Sequence, residues 1–280
     1  LKFLKIKKFI SKYQNFSSIY RSKSLTSAEP SQARVQDLVK IFNSKNFKEV
    51  LIKVNKLIRS FPQSAVLFNI QGAANAALHK HNAAVASYKK SLILNPNFSG
   101  AYNNMSVSQQ ENGELEAALE SSRQAIEMNP NFAEAYLNQG NILHQKGDLK
   151  EAINVYSKAI QIRREYADAY NNMGNAQKDL GDLDVAINSY LKAIEIQADY
   201  AEAYGNLGIV LRDKGELEKA IENYRQATSL NPNFSEAHNN LGIALKDKGN
   251  LSSAIESYNI AIKINPSYAK AHFNLGMALK

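Results

Sequence analysis

The chain has no cysteine and no tryptophan among its 280 residues. Without cysteine there are no disulfides, no thiolate metal sites and no thiol nucleophile. No apolar run approaches the roughly 20 residues needed to cross a bilayer, and none has the make-up of a secretory signal core. Histidine is limited to His79, His81, His144, His238 and His272. None stands in a HExxH spacing, and neither a Gly-rich phosphate loop nor a nucleophile elbow occurs. The expectation is a chain with no cofactor, no metal and no catalytic residues of its own.

Proline is also scarce, with six in all, and five of them share one lattice. Pro62, Pro96, Pro130, Pro232 and Pro266 are separated by 34 residues or by three times 34, and the two empty slots hold Arg164 and Ala198. Gly113, Gly147, Gly181, Gly215 and Gly249 keep the same period, as do Ala84, Ala118, Ala152, Ala186, Ala220 and Ala254. Another series runs through Gly72, Gly140, Gly174, Gly208, Gly242 and Gly276, with Ser106 in its one missing slot. Tyr102, Tyr136, Tyr170 and Tyr204 continue as His238 and His272, so these two histidines read as packing variants of a tyrosine position. His79 and His81 fall in a turn and are expected to be solvated. A fixed period in this range means that one supersecondary unit has been copied and stacked.

Residues 201–234 show what that unit is. Tyr204, Leu207, Gly208 and Leu211 recur at i, i+3, i+4 and i+7, one face of an α-helix. Gly215 then interrupts the pattern, as a helix C-terminal glycine does. Leu217, Ala220, Ile221 and Tyr224 open a second amphipathic face. Asn231-Pro232 ends it, because proline lacks the N–H that would continue the ladder and biases its predecessor away from helix. Each unit is a helix hairpin. Gly208 and Ala220 are expected to let the two backbones approach, with Tyr204 and Tyr224 filling the wider gaps.

This spacing, aromatic-x-x-Leu-Gly-x-x-Leu…Ala-x-x-x-Tyr…Pro, resembles the tetratricopeptide repeat. The resemblance implies an all-α, right-handed solenoid (superhelix) of stacked helix-turn-helix units that binds other proteins rather than transforming small molecules. Full repeats are expected at 31–64, 65–98, 99–132, 133–166, 167–200, 201–234 and 235–268, with 269–280 as the first helix of a truncated eighth. Repeat 31–64 keeps only the apolar register (Leu38, Ile41, Val50, Val54, Leu57, Pro62) and suits an N-terminal cap, since terminal repeats are usually atypical. A chain that opens on Leu1 and stops inside a repeat at Lys280 is expected to be a fragment.

Residues 1–30 differ from the rest. Seven cations stand there against Glu29 alone, so this leader holds +6 of the formal net charge of +8. The basic balance is a property of the leader and gives no reason to expect nucleic-acid binding by the repeats. The leader reads as an organellar presequence, as a membrane-surface helix with Leu1, Leu4 and Phe9 against lysines, or as a disordered tail or translated upstream sequence foreign to the protein. The compartment is open, with cytoplasm the default expectation.

Two polar rows run through the repeats. Asn104, Asn138, Asn172, Asn206, Asn240 and Asn274 occupy one slot in six successive first helices, with Asn141 and Asn175 one helix turn further on. The resemblance implies that first helices line a concave groove and that this slot faces into it. An amide both donates and accepts, so a row of them can hold an extended polypeptide irrespective of its sequence. The segments at 129–153 and 231–255 are similar in wording to the scaffold of protein O-linked N-acetylglucosamine transferases, where such a ladder binds peptides. Two readings stay open: a peptide-binding ladder, or a feature shared across the repeat family. The second row is His144, Lys178, Arg212 and Lys246, with Asp179, Asp213 and Asp247 directly after the last three. It is either a charge-balanced edge or a basic rim that steers an acidic ligand. Glu134, Asp168, Glu202 and Glu236 lie in the first turns, where a carboxylate complements the helix dipole. A carboxylate clamp for chaperone tails would need cations beside the ladder, and Asn103, Leu137, Asn171, Gly205, Asn239 and Phe273 stand there instead.

The expected function is a non-catalytic scaffold that binds a protein or an extended peptide. The alternative is the substrate-recruiting arm of a larger transferase (glycosyltransferase first, then sulfotransferase or methyltransferase) whose catalytic domain lies beyond residue 280. Self-association through the last helix is a third reading.

Overall fold

A computed structural model describes residues 29–280. Among the described residues there are fifteen helices and no strand. In chain order they are α1 (Gln32–Asn43), α2 (Phe47–Ser60), α3 (Ala65–Ala77), α4 (His81–Leu94), α5 (Ser99–Glu111), α6 (Leu115–Met128), α7 (Ala133–Lys146) and α8 (Leu149–Ile162). They continue as α9 (Ala167–Leu180), α10 (Leu183–Ile196), α11 (Ala201–Asp213), α12 (Leu217–Leu230), α13 (Ser235–Asp247), α14 (Leu251–Ile264) and α15 (Ala269–Ala278). The basic leader lies outside the described residues apart from Glu29 and Pro30.

The chain forms two compact units that divide after Ile142. In the first, α3 packs on α4 and α5 on α6, and each hairpin also packs on the next. In the second, the pairs are α9 with α10, α11 with α12 and α13 with α14, again with hairpin stacked on hairpin. The fold is an all-α solenoid of helical repeats. No described helix is long and apolar enough to cross a membrane.

The turn inside each hairpin is made by local backbone chemistry. After α11, the Gly215 N–H donates to the Arg212 carbonyl (2.8 Å) and the Glu216 N–H to the Leu211 carbonyl (2.9 Å), a Schellman closure. Gly215 takes φ +79°, open to glycine at no steric cost, and the glycines one period away do the same. Two earlier repeats make this turn without glycine: Lys45 (φ +62°) and His79 (φ +57°) hold the same slot in the same left-handed region. His81 departs from the expectation of a solvated side chain. It is half-buried, its ring lies edge-on 5.9 Å from that of His79, and its buried Nδ1 has no hydrogen-bond partner. At the far end of several hairpins an Asx turn starts the link: the Asn233 N–H donates to Asn231 Oδ1 (3.3 Å), and Asn97, Asn131 and Ser267 do likewise to Asn95, Asn129 and Asn265.

The small residues of the first helices serve a different purpose from the one expected. What stands over Gly208 is the ring of Tyr224, not the neighbouring backbone: a Cβ at 208 would meet Cε1 at 2.7 Å. Tyr88 lies on Gly72, Tyr190 on Gly174 and Tyr258 on Gly242 in the same way. In the repeat at 99–132 both slots change together, since Ser106 and Ser122, both fully buried, replace the glycine and the tyrosine. In the second unit the stacked tyrosines merge with Leu207, Leu211, Leu241 and Leu245 into one apolar cluster. The first unit opens on a core of Leu38, Phe42, Val50, Val54, Leu67 and Ile70 with no tyrosine, and there the Phe42 and Phe47 rings meet edge-on at 5.0 Å.

Candidate functional site

Helical spacing places the asparagine row, the residue before each asparagine and the residue three further on along one face of the first helices. Asn104, Asn172, Asn206, Asn240 and Asn274 are half-buried there, and Asn138 is buried. Much of the row is tied into the scaffold. Asn104 Nδ2 donates to Asn69 Oδ1 at 3.1 Å, and Asn138 Nδ2 to Asn103 Oδ1 at 2.8 Å. In the second unit Asn206 donates to Asn171 at 3.0 Å and Asn274 to Asn239 at 2.9 Å. Each acceptor is the residue just before the row position in the preceding repeat, 35 residues back. Asn69, Asn103, Asn171 and Asn239 are buried, so these bonds satisfy amides that would otherwise be left unpaired out of water.

The row therefore both clamps repeat to repeat and presents polar groups. Asn104, Asn206 and Asn274 each spend one amide hydrogen on the clamp and keep the second hydrogen and the oxygen uncommitted. Asn172 accepts from Asn171 Nδ2 at 3.3 Å. Sequence reasoning noted the residue before each row asparagine only to exclude a carboxylate clamp and missed its pairing role. The signal was present as Asn–Asn pairs spaced by one period plus one.

Asn175, also half-buried, has a structural partner: the Tyr190 hydroxyl donates to its Oδ1 at 2.8 Å. Asn141 is half-buried on the corresponding face of α7. In the next two repeats the Asn175 slot holds Ile209 and Ile243, and there the buried Tyr224 and Tyr258 hydroxyls have no hydrogen-bond partner. Burial raises the pKa of all three of these tyrosines, so their hydroxyls stay protonated.

The second row is laced with carboxylates where its partners are seen. His144 Nε2 donates to Asp179 at 2.8 Å, and Lys178 reaches the other oxygen of the same carboxylate at 3.1 Å. Burial alone would raise the Asp179 pKa, but the hydrogen bonds from His144 and Lys178 outweigh it and hold the carboxyl below its usual range. Arg212 pairs with Asp213 at 3.2 Å, and Lys246 is half-buried in the same register. His238 and His272 occupy the tyrosine slot, and their ring nitrogens donate to the Pro232 (3.1 Å) and Pro266 (2.9 Å) carbonyls. Among the described residues no three His, Asp or Glu side chains converge where a metal ion could sit. Phe273 and Met277 on α15, and Leu279 directly after it, are exposed.

A family profile described as "TPR repeat" matches residues 140–181, 174–211, 209–249 and 244–280, and one described as "Tetratricopeptide repeat" matches 87–120 and 123–154. No curated protein matches the chain significantly. Among solved structures, a chain of the APC/C hetero-tetramer Cut9–Hcn1 aligns over 99% of this chain with a TM-score of 0.75 at 19% identity, a likeness of fold. The chain spans 53% of that chain's length. YrrB, described as a TPR protein with an unusual peptide-binding site, is 26% identical, with TM-score 0.52 over 68% of this chain and 97% of its own. MamA is 28% identical, with TM-score 0.53 over 59% of this chain and 97% of its own.

Proposed function

We propose that this chain, which belongs to the tetratricopeptide repeat family, binds an extended peptide segment of a partner protein along the asparagine-bearing face of its first helices. Proteins of this family are interaction scaffolds, because a stack of repeats offers a long continuous face and no enclosed pocket. One observation carries the finer reading. In the second unit that face presents half-buried amides, Asn206 and Asn274, each with a hydrogen and an oxygen not used by the scaffold. Such groups pair with a peptide backbone, which has one donor and one acceptor per residue. The cations of the second row add little attraction for an acidic ligand where carboxylates already face them.

The test is to pan a random dodecapeptide library on the full chain. Recovered peptides are then titrated by fluorescence polarisation against wild type and an Asn172→Ala, Asn206→Ala double variant. An affinity loss of about tenfold or more, with unchanged circular dichroism, supports this face; equal affinity removes it.

The transferase-arm reading draws support from the wording of segments 129–153 and 231–255 and is decided by the reading frame after residue 280. Self-association through α15, whose Phe273 and Met277 are exposed, is removed if the chain sediments as a monomer.

A further inference from the structure

The amide clamp is closed at four steps: Asn104 on Asn69, Asn138 on Asn103, Asn206 on Asn171 and Asn274 on Asn239. The step to Asn240 has the same spacing and a different chemistry. Thirty-five residues before Asn240 stands Gly205, which has no side chain to accept a hydrogen bond. Among the described residues Asn240 Nδ2 has no acceptor, and its oxygen takes only a long 3.5 Å bond from Asn239.

Crowding does not hold position 205 to glycine. A Cβ added at Gly205 would meet two carbons of the Phe234 ring, at 3.4 and 3.8 Å, and no other heavy atom within 4 Å apart from its own helix backbone and chain neighbours. Gly205 has no positive φ that would demand glycine. A glycine in a helix interior costs up to about 1 kcal/mol relative to alanine, and neither sterics nor backbone geometry at 205 requires it. Asn240 is half-buried, so solvent reaches its amide. One turn further along the same face, Ile209 and Ile243 replace the Asn175 of the preceding repeat.

We propose that the Gly205–Asn240 step determines which peptides this face accepts. An amide carbonyl of the bound peptide receives the Asn240 N–H in the position that an asparagine Oδ1 fills at the four closed steps. An apolar peptide side chain beside that carbonyl lies against Ile209 and Ile243. At the closed steps one donor of each row amide is already committed to the scaffold. At this step both hydrogens are free for the ligand, and a ligand acceptor is the only partner other than water. The proposal rests on the reading that peptides bind along this face.

The experiment uses the full chain and dodecapeptides recovered from a random library on wild type. Gly205→Asn supplies the missing acceptor and closes the clamp. Gly205→Ala adds only a methyl in ordinary contact with Phe234. Asn240→Ala removes the donor without touching residue 205. The expected result is an affinity loss of about tenfold for Gly205→Asn and for Asn240→Ala, with Gly205→Ala within about threefold of wild type. Because Asn240→Ala reads the same donor, the test stands even if Gly205→Asn folds poorly. Replacing the peptide's amides one at a time by esters locates a backbone carbonyl, and an alanine scan reveals an Asn or Gln side chain in its stead; one position in either series must carry the loss. Peptides that ignore both Gly205→Asn and Asn240→Ala yet weaken on the Asn172→Ala, Asn206→Ala variant overturn this step and leave the face standing. Peptides indifferent to every one of these variants overturn both readings.

Discussion

The Tyr224 ring lies against Gly208 so closely that a methyl group there would sit 2.7 Å from Cε1. The ring is fully buried, and protein interiors are packed too densely for a buried ring to retreat far. Gly208→Ala is therefore expected to destabilise the second unit by about 1–3 kcal/mol through overpacking. That loss outweighs the roughly 1 kcal/mol that alanine gains over glycine in a helix. Gly276→Ala, where no atom lies within 4 Å of the added carbon, is expected to be neutral or stabilising. Urea midpoints of the two variants check this, and a Gly208→Ala midpoint equal to wild type would remove the packing assignment.

Two tyrosines in equivalent slots should respond oppositely to loss of the hydroxyl. Tyr190 donates to Asn175 at 2.8 Å, whereas the buried Tyr224 hydroxyl has no partner. Tyr190→Phe is expected to cost about 1 kcal/mol, the net worth of a hydrogen bond whose acceptor is then left unpaired. Tyr224→Phe should cost nothing or stabilise, since it removes an unsatisfied buried polar group. Denaturant titration of the pair decides it; equal losses contradict the bonding difference.

Lys45 pays a conformational penalty that the later repeats avoid with glycine. Its φ of +62° places a side chain in the left-handed region, at about 1–2 kcal/mol. Lys45→Gly relieves that and adds about 0.4–1 kcal/mol of unfolded-state freedom, so a small net stabilisation is expected in thermal melts. His79 (φ +57°) occupies the same slot, but replacing it also removes the ring contact with His81, which makes Lys45 the cleaner test.

His238 should make stability depend on pH in the mildly acidic range. Burial lowers its pKa, and its bond to the Pro232 carbonyl only partly opposes this. The unfolded chain then takes up the proton first as pH falls. Stability is full above the unfolded value of about 6.5 and declines as the pH drops below it toward the depressed folded value. His238→Tyr, which restores the residue type of Tyr204 one period earlier, should remove that part of the decline between pH 7.5 and 5. Parallel melting curves for wild type and variant across that range would show that the histidine does not contribute.

The helices and the turns joining them were legible in the chain because their causes are local. Gly215 closes α11 by its own backbone conformation, and Asn231 with Pro232 ends α12 within three residues. The tyrosine series was legible as a period, but its partner was not. Gly208 and Tyr224 are sixteen positions apart on different helices, and only the packing of α11 on α12 brings ring and glycine together. Ser106 and Ser122 were a readable hint, since both slots change in the same repeat.

By itself the sequence determined that this is an all-α stack of helix hairpins. A repeat of 34 residues carries its helix faces, turn glycines and terminating prolines in every copy. Only the tertiary structure decided what the asparagines do. A period places Asn206 and Asn240 in equivalent slots, yet Asn206 is clamped to Asn171 while the residue 35 back from Asn240 is Gly205, which offers no acceptor. The pairing runs 35 residues back rather than 34, a register set by how one hairpin seats on the next. Side-chain packing between repeats sets that register, and no interaction within a single repeat contains it.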